Sequence, residues 1–253
     1  MVEALFWPAF LGYGEAALAY ASARTSRAAT WGVRLGWLAQ TALLAAQAAR
    51  AGGFPWTSWS GSLDLFVWLV VAAYLVWGCR PRFRLLGLAV MPPAAALFLV
   101  ARLDGGIAAA GRARYSSVFL VLHVGFVLAA FAGFTLAAAL ASLYLWEEGR
   151  LKRRAPDILR LRLPPLQSLE RLTRRTIAVS LPLLTLGLAA GIVRLREDGS
   201  PLDALEALTL ATWALYGGVL LARPAGRRGA YLALGGFALV VVARLVLSAG
   251  HFA

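Results

Sequence analysis

Long apolar runs dominate this chain of 253 residues. Eight of them have about the 20 residues that a helix needs to cross a bilayer core of roughly 30 Å, and short connections separate them. Because lipid cannot satisfy backbone hydrogen bonds, runs of this length cross as helices. The sequence therefore predicts an all-α, polytopic integral membrane protein, a single domain over residues 1–253, with spans near 4–22, 31–50, 62–79, 84–102, 117–145, 176–194, 204–222 and 229–249.

The composition agrees with a membrane location and excludes several functions. Hydrophobic residues make up 60% of the chain and charged residues 15%, against about 45–50% and about 25% in soluble domains. The formal net charge of +13 lies in short connections, which is typical of charge that orients helices and contacts lipid rather than of nucleic-acid binding. Cys79 is the only cysteine, which excludes an intramolecular disulfide, a C-x-x-C redox pair and a C-x-x-C-H site for covalent haem.

The basic residues indicate which helix ends face the cytoplasm. The alternate connections 22–34, 79–84, 146–175 and 223–228 hold 18 of the 25 lysines and arginines, and the other 7 lie in the remaining connections and at the helix ends beside them. Lysine and arginine concentrate in cytoplasmic connections, so both termini are predicted to lie outside. The basic segment 147–175 is then a cytoplasmic loop on the inner membrane surface, with docking of a cytosolic partner as the alternative.

This orientation collects polar residues at the outer ends of the helices. They include the only two histidines, His123 and His251, and an intramembrane arginine, Arg244. An unpaired arginine in a membrane is costly, so Arg244 is expected to pair with Asp64, Glu206 or a ligand. A membrane histidine more often bonds a neighbouring helix, and tryptophans and arginines near the surface are typical of interface belts and of snorkelling. The residues alone therefore leave structural and ligand roles open.

Four segments resemble successive parts of the CcsA-type cytochrome c assembly proteins, a superfamily of haem-handling membrane proteins. They are FPWTSWSGSLDLFVWLVVAAYLV, LLGLAVMPPAAALFLV, LHVGFVLAAFAGFTLAAALASLYLWEEGRLKRR and LPPLQSLERLTRRTIAVSLPLLTLGLAAG. The resemblance covers about residues 31–253. It implies eight helices with outward termini. It also implies axial haem ligands in the LH of the fifth helix and after the last helix, which are His123 and His251 here.

One motif of the haem-binding members is absent. Where they carry WGxYWSWDPKET before the seventh helix, this chain has REDGSPLDALEA. Asp203 and Glu206 match the acidic positions, but the loop tryptophans are missing. In this respect the chain is more similar to the HemX/YpjD branch of the superfamily.

The resemblance implies haem handling or cytochrome c maturation at the outer face of the bacterial inner membrane. The protein would be an accessory factor rather than a self-sufficient enzyme, with an apocytochrome or an assembly subunit as its partner. A b-type haem would be held non-covalently, with arginines on its propionates. The predicted cofactor site comprises His123, His251, Arg194, Arg244, Asp203, Glu206, Trp56, Trp59 and Asp64.

Two alternatives stay open. One is a HemX-like regulator or scaffold of haem biosynthesis that holds no haem and acts through residues 147–175. The other is a small-solute transporter, although the sequence has no detectable inverted repeat or pair of broken helices.

Overall fold

The computed structural model describes residues 2–21, 26–51, 59–77, 84–103, 118–153, 164–198 and 204–243. All regular structure within these ranges is helical, which confirms the all-α prediction. The eight helices there are α1 (Val2–Ala21), α2 (Ser26–Ala51), α3 (Trp59–Trp77), α4 (Arg84–Leu103), α5 (Val118–Lys152), α6 (Leu166–Asp198), α7 (Ala204–Ala222) and α8 (Gly226–Val241).

Five of these helices, α3 to α7, are long and apolar enough to cross a membrane. Helices α1 and α2 are not among these five. Helix α1 contains Glu3 and Glu15, and α2 contains Arg34, Gln40 and Gln47 among its polar residues. Helix α8 is described over only 16 residues. The chain is therefore a multi-pass membrane protein, and the remaining three spans stay a prediction.

The chain divides into two compact units, Met1–Ser116 and Ser117–Ala253. In the first unit, α1 packs against α2 and α4, and α3 packs against α4 and α2. In the second unit, α5 packs along α6 and α8, and α7 packs against α8 and α6. The prediction of a single membrane domain remains a prediction.

Glycines set the distance between α5 and α6. A Cβ atom added to Gly187 would lie 2.7 Å from Cγ2 of Val127, and one added to Gly191 would lie 2.7 Å from the ring of His123. The facing positions run in opposite directions along the two helices, so α5 and α6 are antiparallel. Small residues allow membrane helices to approach this closely. The result is that His123 lies directly against the backbone of α6.

A buried tyrosine joins three helices of the same unit. The ring of Tyr216 on α7 stacks on Phe134 of α5 with centroids 3.9 Å apart. Its hydroxyl donates to the carbonyl of Ala233 on α8 over 3.0 Å. A Cβ atom on Gly236 would lie 2.5 Å from the same ring. Helices α5, α7 and α8 therefore meet around one aromatic side chain.

Candidate functional site

The site is built from the imidazole of His123, which lies near the start of α5. Its Nδ1 atom is 2.6 Å from the carbonyl oxygen of Gly187 on α6. A carbonyl oxygen only accepts hydrogen bonds, so Nδ1 carries a proton and donates it. In the neutral tautomer with this proton, the lone pair of the ring is on Nε2. A histidine whose other nitrogen donates to a backbone carbonyl is the usual form of a metal ligand.

Two glycines one turn apart on α6 hold this ring. Gly187 supplies the acceptor, since a backbone carbonyl has a second lone pair beside the one used in its helix. Gly191 supplies the space, because a Cβ atom there would lie 2.7 Å from both Cε1 and Nδ1 of His123. Any larger residue at position 191 would displace the ring or the helix. The backbone of α6 thus fixes both the tautomer and the position of His123.

No cluster of three or more histidine, cysteine, aspartate or glutamate side chains that could hold a bare metal ion occurs within the seven described ranges. A haem iron requires fewer protein ligands, since the porphyrin supplies the equatorial nitrogens and the protein supplies the axial ones. A single imidazole with a free Nε2 atom fits an axial position. The described donor, one imidazole, therefore fits an axial position of haem.

Asp64, a predicted member of the cofactor site, belongs to a buried chain of hydrogen bonds in the first unit. The hydroxyl of Tyr13 on α1 donates to Oε1 of Gln40 on α2 over 2.6 Å. Nε2 of Gln40 donates to the carbonyl oxygen and to Oδ1 of Asp64 on α3, over 3.0 and 2.5 Å. Oδ2 of Asp64 has no hydrogen-bond partner within the described ranges. The chain connects three helices, and the three side chains are at most 2% exposed.

The remaining predicted residues are described only in part. Trp59 is the first residue of α3 and is half-buried. Glu206 lies in the first turn of α7, and Arg194 lies on α6 three residues beyond Gly191, with its side chain not described. The others, Trp56, Asp203, Arg244 and His251, lie outside the described residues. The convergence of the two histidines therefore stays a prediction.

A sequence model of the family described as "Cytochrome C assembly protein" matches residues 56–250. This range is most of the chain and contains His123. The chain belongs to the cytochrome c assembly protein family. The resemblance to CcsA-type proteins that the sequence suggested is thereby confirmed.

Two curated relatives of this family member carry the same name, "Cytochrome c biogenesis protein CcsA". The one from Gloeothece citriformis (strain PCC 7424) is 27% identical in an alignment 271 positions long, gaps included, and the alignment covers 85% of this chain and 83% of the relative. The one from Guillardia theta is 28% identical in an alignment 233 positions long, which covers 81% of this chain and 77% of the relative. Both comparisons extend over most of each protein, so the likeness is not confined to one motif.

Sequence reasoning found His123 in this cytochrome c assembly protein but missed what positions it. The available signal was the run LGLAAG, in which Gly187 and Gly191 stand four residues apart on one face of a helix. Gln40 and Tyr13 were missed as well. An amide in the middle of an apolar helix was their signal, since such a group needs a partner there.

Proposed function

We propose that this protein handles haem during cytochrome c assembly and holds a b-type haem non-covalently, with His123 and His251 as axial ligands. The observation that carries the proposal is the 2.6 Å hydrogen bond between Nδ1 of His123 and the carbonyl of Gly187. This bond occupies one ring nitrogen and leaves Nε2 for a ligand, and a metal takes that nitrogen in its unprotonated state.

The residues of the chain would act on the cofactor through position and charge. Nε2 of His123 would ligate the iron, and the Gly187 carbonyl would raise its basicity by accepting the hydrogen bond from Nδ1. Arg194 and Arg244 are the candidates for the propionates, because arginine and carboxylate form strong charge-assisted pairs. The haem, when bound, supplies the reactive vinyl groups and the iron. An apocytochrome or an assembly subunit would be the partner that completes maturation.

The absorption spectrum of the purified protein tests this proposal. Protein in mild detergent, isolated with and without added haem, is expected to show a low-spin spectrum, because two imidazoles give iron a strong ligand field. The haem should be removed by acid acetone and should give the pyridine spectrum of a b-type haem, since no C-x-x-C-H motif exists to attach it. A protein that takes up no haem above the level of empty detergent micelles would contradict the proposal and favour the HemX-like regulator.

We also propose that the protein lies in the bacterial inner membrane with both termini outside and residues 147–175 in the cytoplasm. The support is the distribution of lysine and arginine, 18 residues against 7. In a Cys79→Ser background, a membrane-impermeant maleimide should label Ser200→Cys on intact cells but should label Arg153→Cys only after lysis. Labelling of position 153 on intact cells would reverse the orientation.

A further inference from the structure

The carboxyl group of Asp64 is buried inside the first unit. The residue is 2% exposed on the protein alone, and it lies within the apolar segment Trp59–Val76 of α3. An ionised carboxylate that is removed from water loses the hydration of its charge. A nearby cation or several hydrogen-bond donors must then replace that hydration, or the group takes up a proton and becomes neutral. The surroundings of Asp64 therefore indicate which form the folded protein contains.

Hydrogen bonds to Asp64 are few. The two oxygens of a carboxylate offer about four acceptor positions. One donor reaches them, because Nε2 of Gln40 donates to Oδ1 and shares its hydrogen-bonding capacity with the backbone carbonyl of Asp64. The other oxygen, Oδ2, accepts no hydrogen bond from the described residues. A single neutral amide thus replaces the hydration of the whole carboxyl group.

The described helices around Asp64 supply no cation either. Helix α3 packs against α2 and α4, and Gln40 connects it to Tyr13 of α1. Tyr13 is a phenol, which is ordinarily uncharged at neutral pH. None of the charged side chains described on α1, α2 and α4 forms an ion pair with Asp64. These side chains are Glu15, Arg34, Arg50 and Arg102.

We propose that Asp64 is a proton-binding site, and that the folded protein holds one proton on this carboxyl at a pH where an exposed aspartate is ionised. Oδ1 is then a carbonyl oxygen that accepts from Gln40, and Oδ2 carries the proton. The neutral acid leaves one buried O–H group without an acceptor, whereas the ionised form leaves a buried charge without compensation, which costs far more. The protein therefore takes up one proton when it folds. This inference does not rest on haem binding.

The pH dependence of unfolding tests the proposal, with Asp64→Asn as the matched variant. Asparagine has the shape of the neutral acid and keeps an oxygen for Gln40, but it binds no proton. The unfolded protein has released the proton that the folded protein holds, so rising pH favours unfolding. The unfolding constant of the unchanged protein, divided by that of Asp64→Asn, should rise about tenfold per pH unit from about pH 5 until the folded carboxyl loses its proton.

Thermal melts of the full chain in one detergent give this ratio. The titration of every other group, both histidines included, is common to the two proteins and cancels. A ratio that stays constant with pH would overturn the proposal, because Asp64 would then carry the same charge in the folded and unfolded protein.

Infrared spectroscopy of the folded protein gives a second measurement that needs no unfolding and no substitution. A protonated carboxyl and a carboxylate absorb at separate frequencies. Asp64 is the only one of the five aspartates that lies within a predicted span. In protein whose aspartates carry carbon-13 at the carboxyl, the band of one protonated acid should shift at about pH 6, where exposed aspartates are ionised.

The variants then assign this band. It should be absent from Asp64→Asn and should remain in Glu15→Gln, which changes an exposed acid on α1 of the same unit. If carbon-13 shifts only carboxylate bands, Asp64 is ionised and the proposal is wrong. A basic residue outside the described ranges or a bound sodium ion would then compensate its charge.

Discussion

Replacing His123 by alanine is expected to abolish the low-spin haem spectrum of the purified protein. The substitution removes one of two axial imidazoles and leaves the iron with a weaker field or without a site. Haem content, measured per protein by the pyridine assay, should fall to the level of empty micelles. Imidazole added to the buffer should restore part of the low-spin spectrum, because the substitution leaves a cavity beside Gly191 that imidazole fits. His251→Ala is expected to give the same loss.

The surroundings of His123 provide a variant that leaves both histidines in place. Gly191→Val puts a side chain where a Cβ atom would already lie 2.7 Å from the His123 ring. It should displace the ring from the Gly187 carbonyl and weaken haem binding by about 10–100-fold, as loss of a ligand's hydrogen-bond partner does. Imidazole should not restore it, because the valine fills the space.

A glycine two residues from the histidine serves as the control. Gly125 also lies on α5, but a Cβ atom there would meet no atom of the described part of the chain within 4 Å. Gly125→Val should therefore bind haem like the unchanged protein. An unaltered spectrum in His123→Ala, or equal effects of the valines at positions 191 and 125, would show that His123 is a structural residue.

The helices could be predicted from the sequence because an apolar segment of about 20 residues in lipid must satisfy its own backbone hydrogen bonds, which a helix does. The structure shows that two of these helices extend beyond their predicted spans. Helix α6 begins at Leu166, ten residues before its predicted span, and α5 continues to Lys152, seven residues beyond. Both extensions carry charged residues, which hydropathy excludes from a span. Charged helical turns outside the bilayer core have the same local geometry as the span and differ from it only in their surroundings.

His123 could be predicted as a candidate ligand more readily than the residues that position it. His123 is conspicuous as one of two histidines in the chain, whereas Gly187 and Gly191 are two of 25 glycines. Their importance depends on which sides of α5 and α6 pack against each other. The spacing of residues within one helix does not determine this. The same limit applies to Asp64. The sequence shows an acidic residue near the start of α3, but its contact with Gln40 depends on how α2 and α3 are aligned.

Replacing Gln40 by leucine is expected to destabilise the first unit. Gln40 accepts from Tyr13 and donates to Asp64, so the substitution leaves two buried polar groups without partners. Each such group costs about 1–3 kcal/mol in soluble proteins, and bonds between membrane helices average less. We expect a loss of about 2 kcal/mol in the free energy of unfolding, or roughly 4–8 °C in the melting temperature. Tryptophan fluorescence in one detergent can follow this transition, because the stacked rings of Trp37 and Trp68 lie on the same two helices.

Gln47 provides the control for Gln40→Leu, because Gln47→Leu on the same helix should not lower the free energy of unfolding. It stands two turns from Gln40, where the sequence gives no reason to distinguish the two amides, and it is also buried, at 2% exposure. Neither Nε2 nor Oε1 of Gln47 has a hydrogen-bond partner among the residues that the structure describes, so the folded protein bears the cost of desolvating both atoms. Gln47→Leu removes that cost and should leave stability unchanged or raise it by up to about 1 kcal/mol. If both leucine variants melt at the same temperature, the Tyr13–Gln40–Asp64 chain does not stabilise the fold. A lower melting temperature for Gln40→Leu alone would show that a buried glutamine stabilises the fold only where its amide has hydrogen-bond partners.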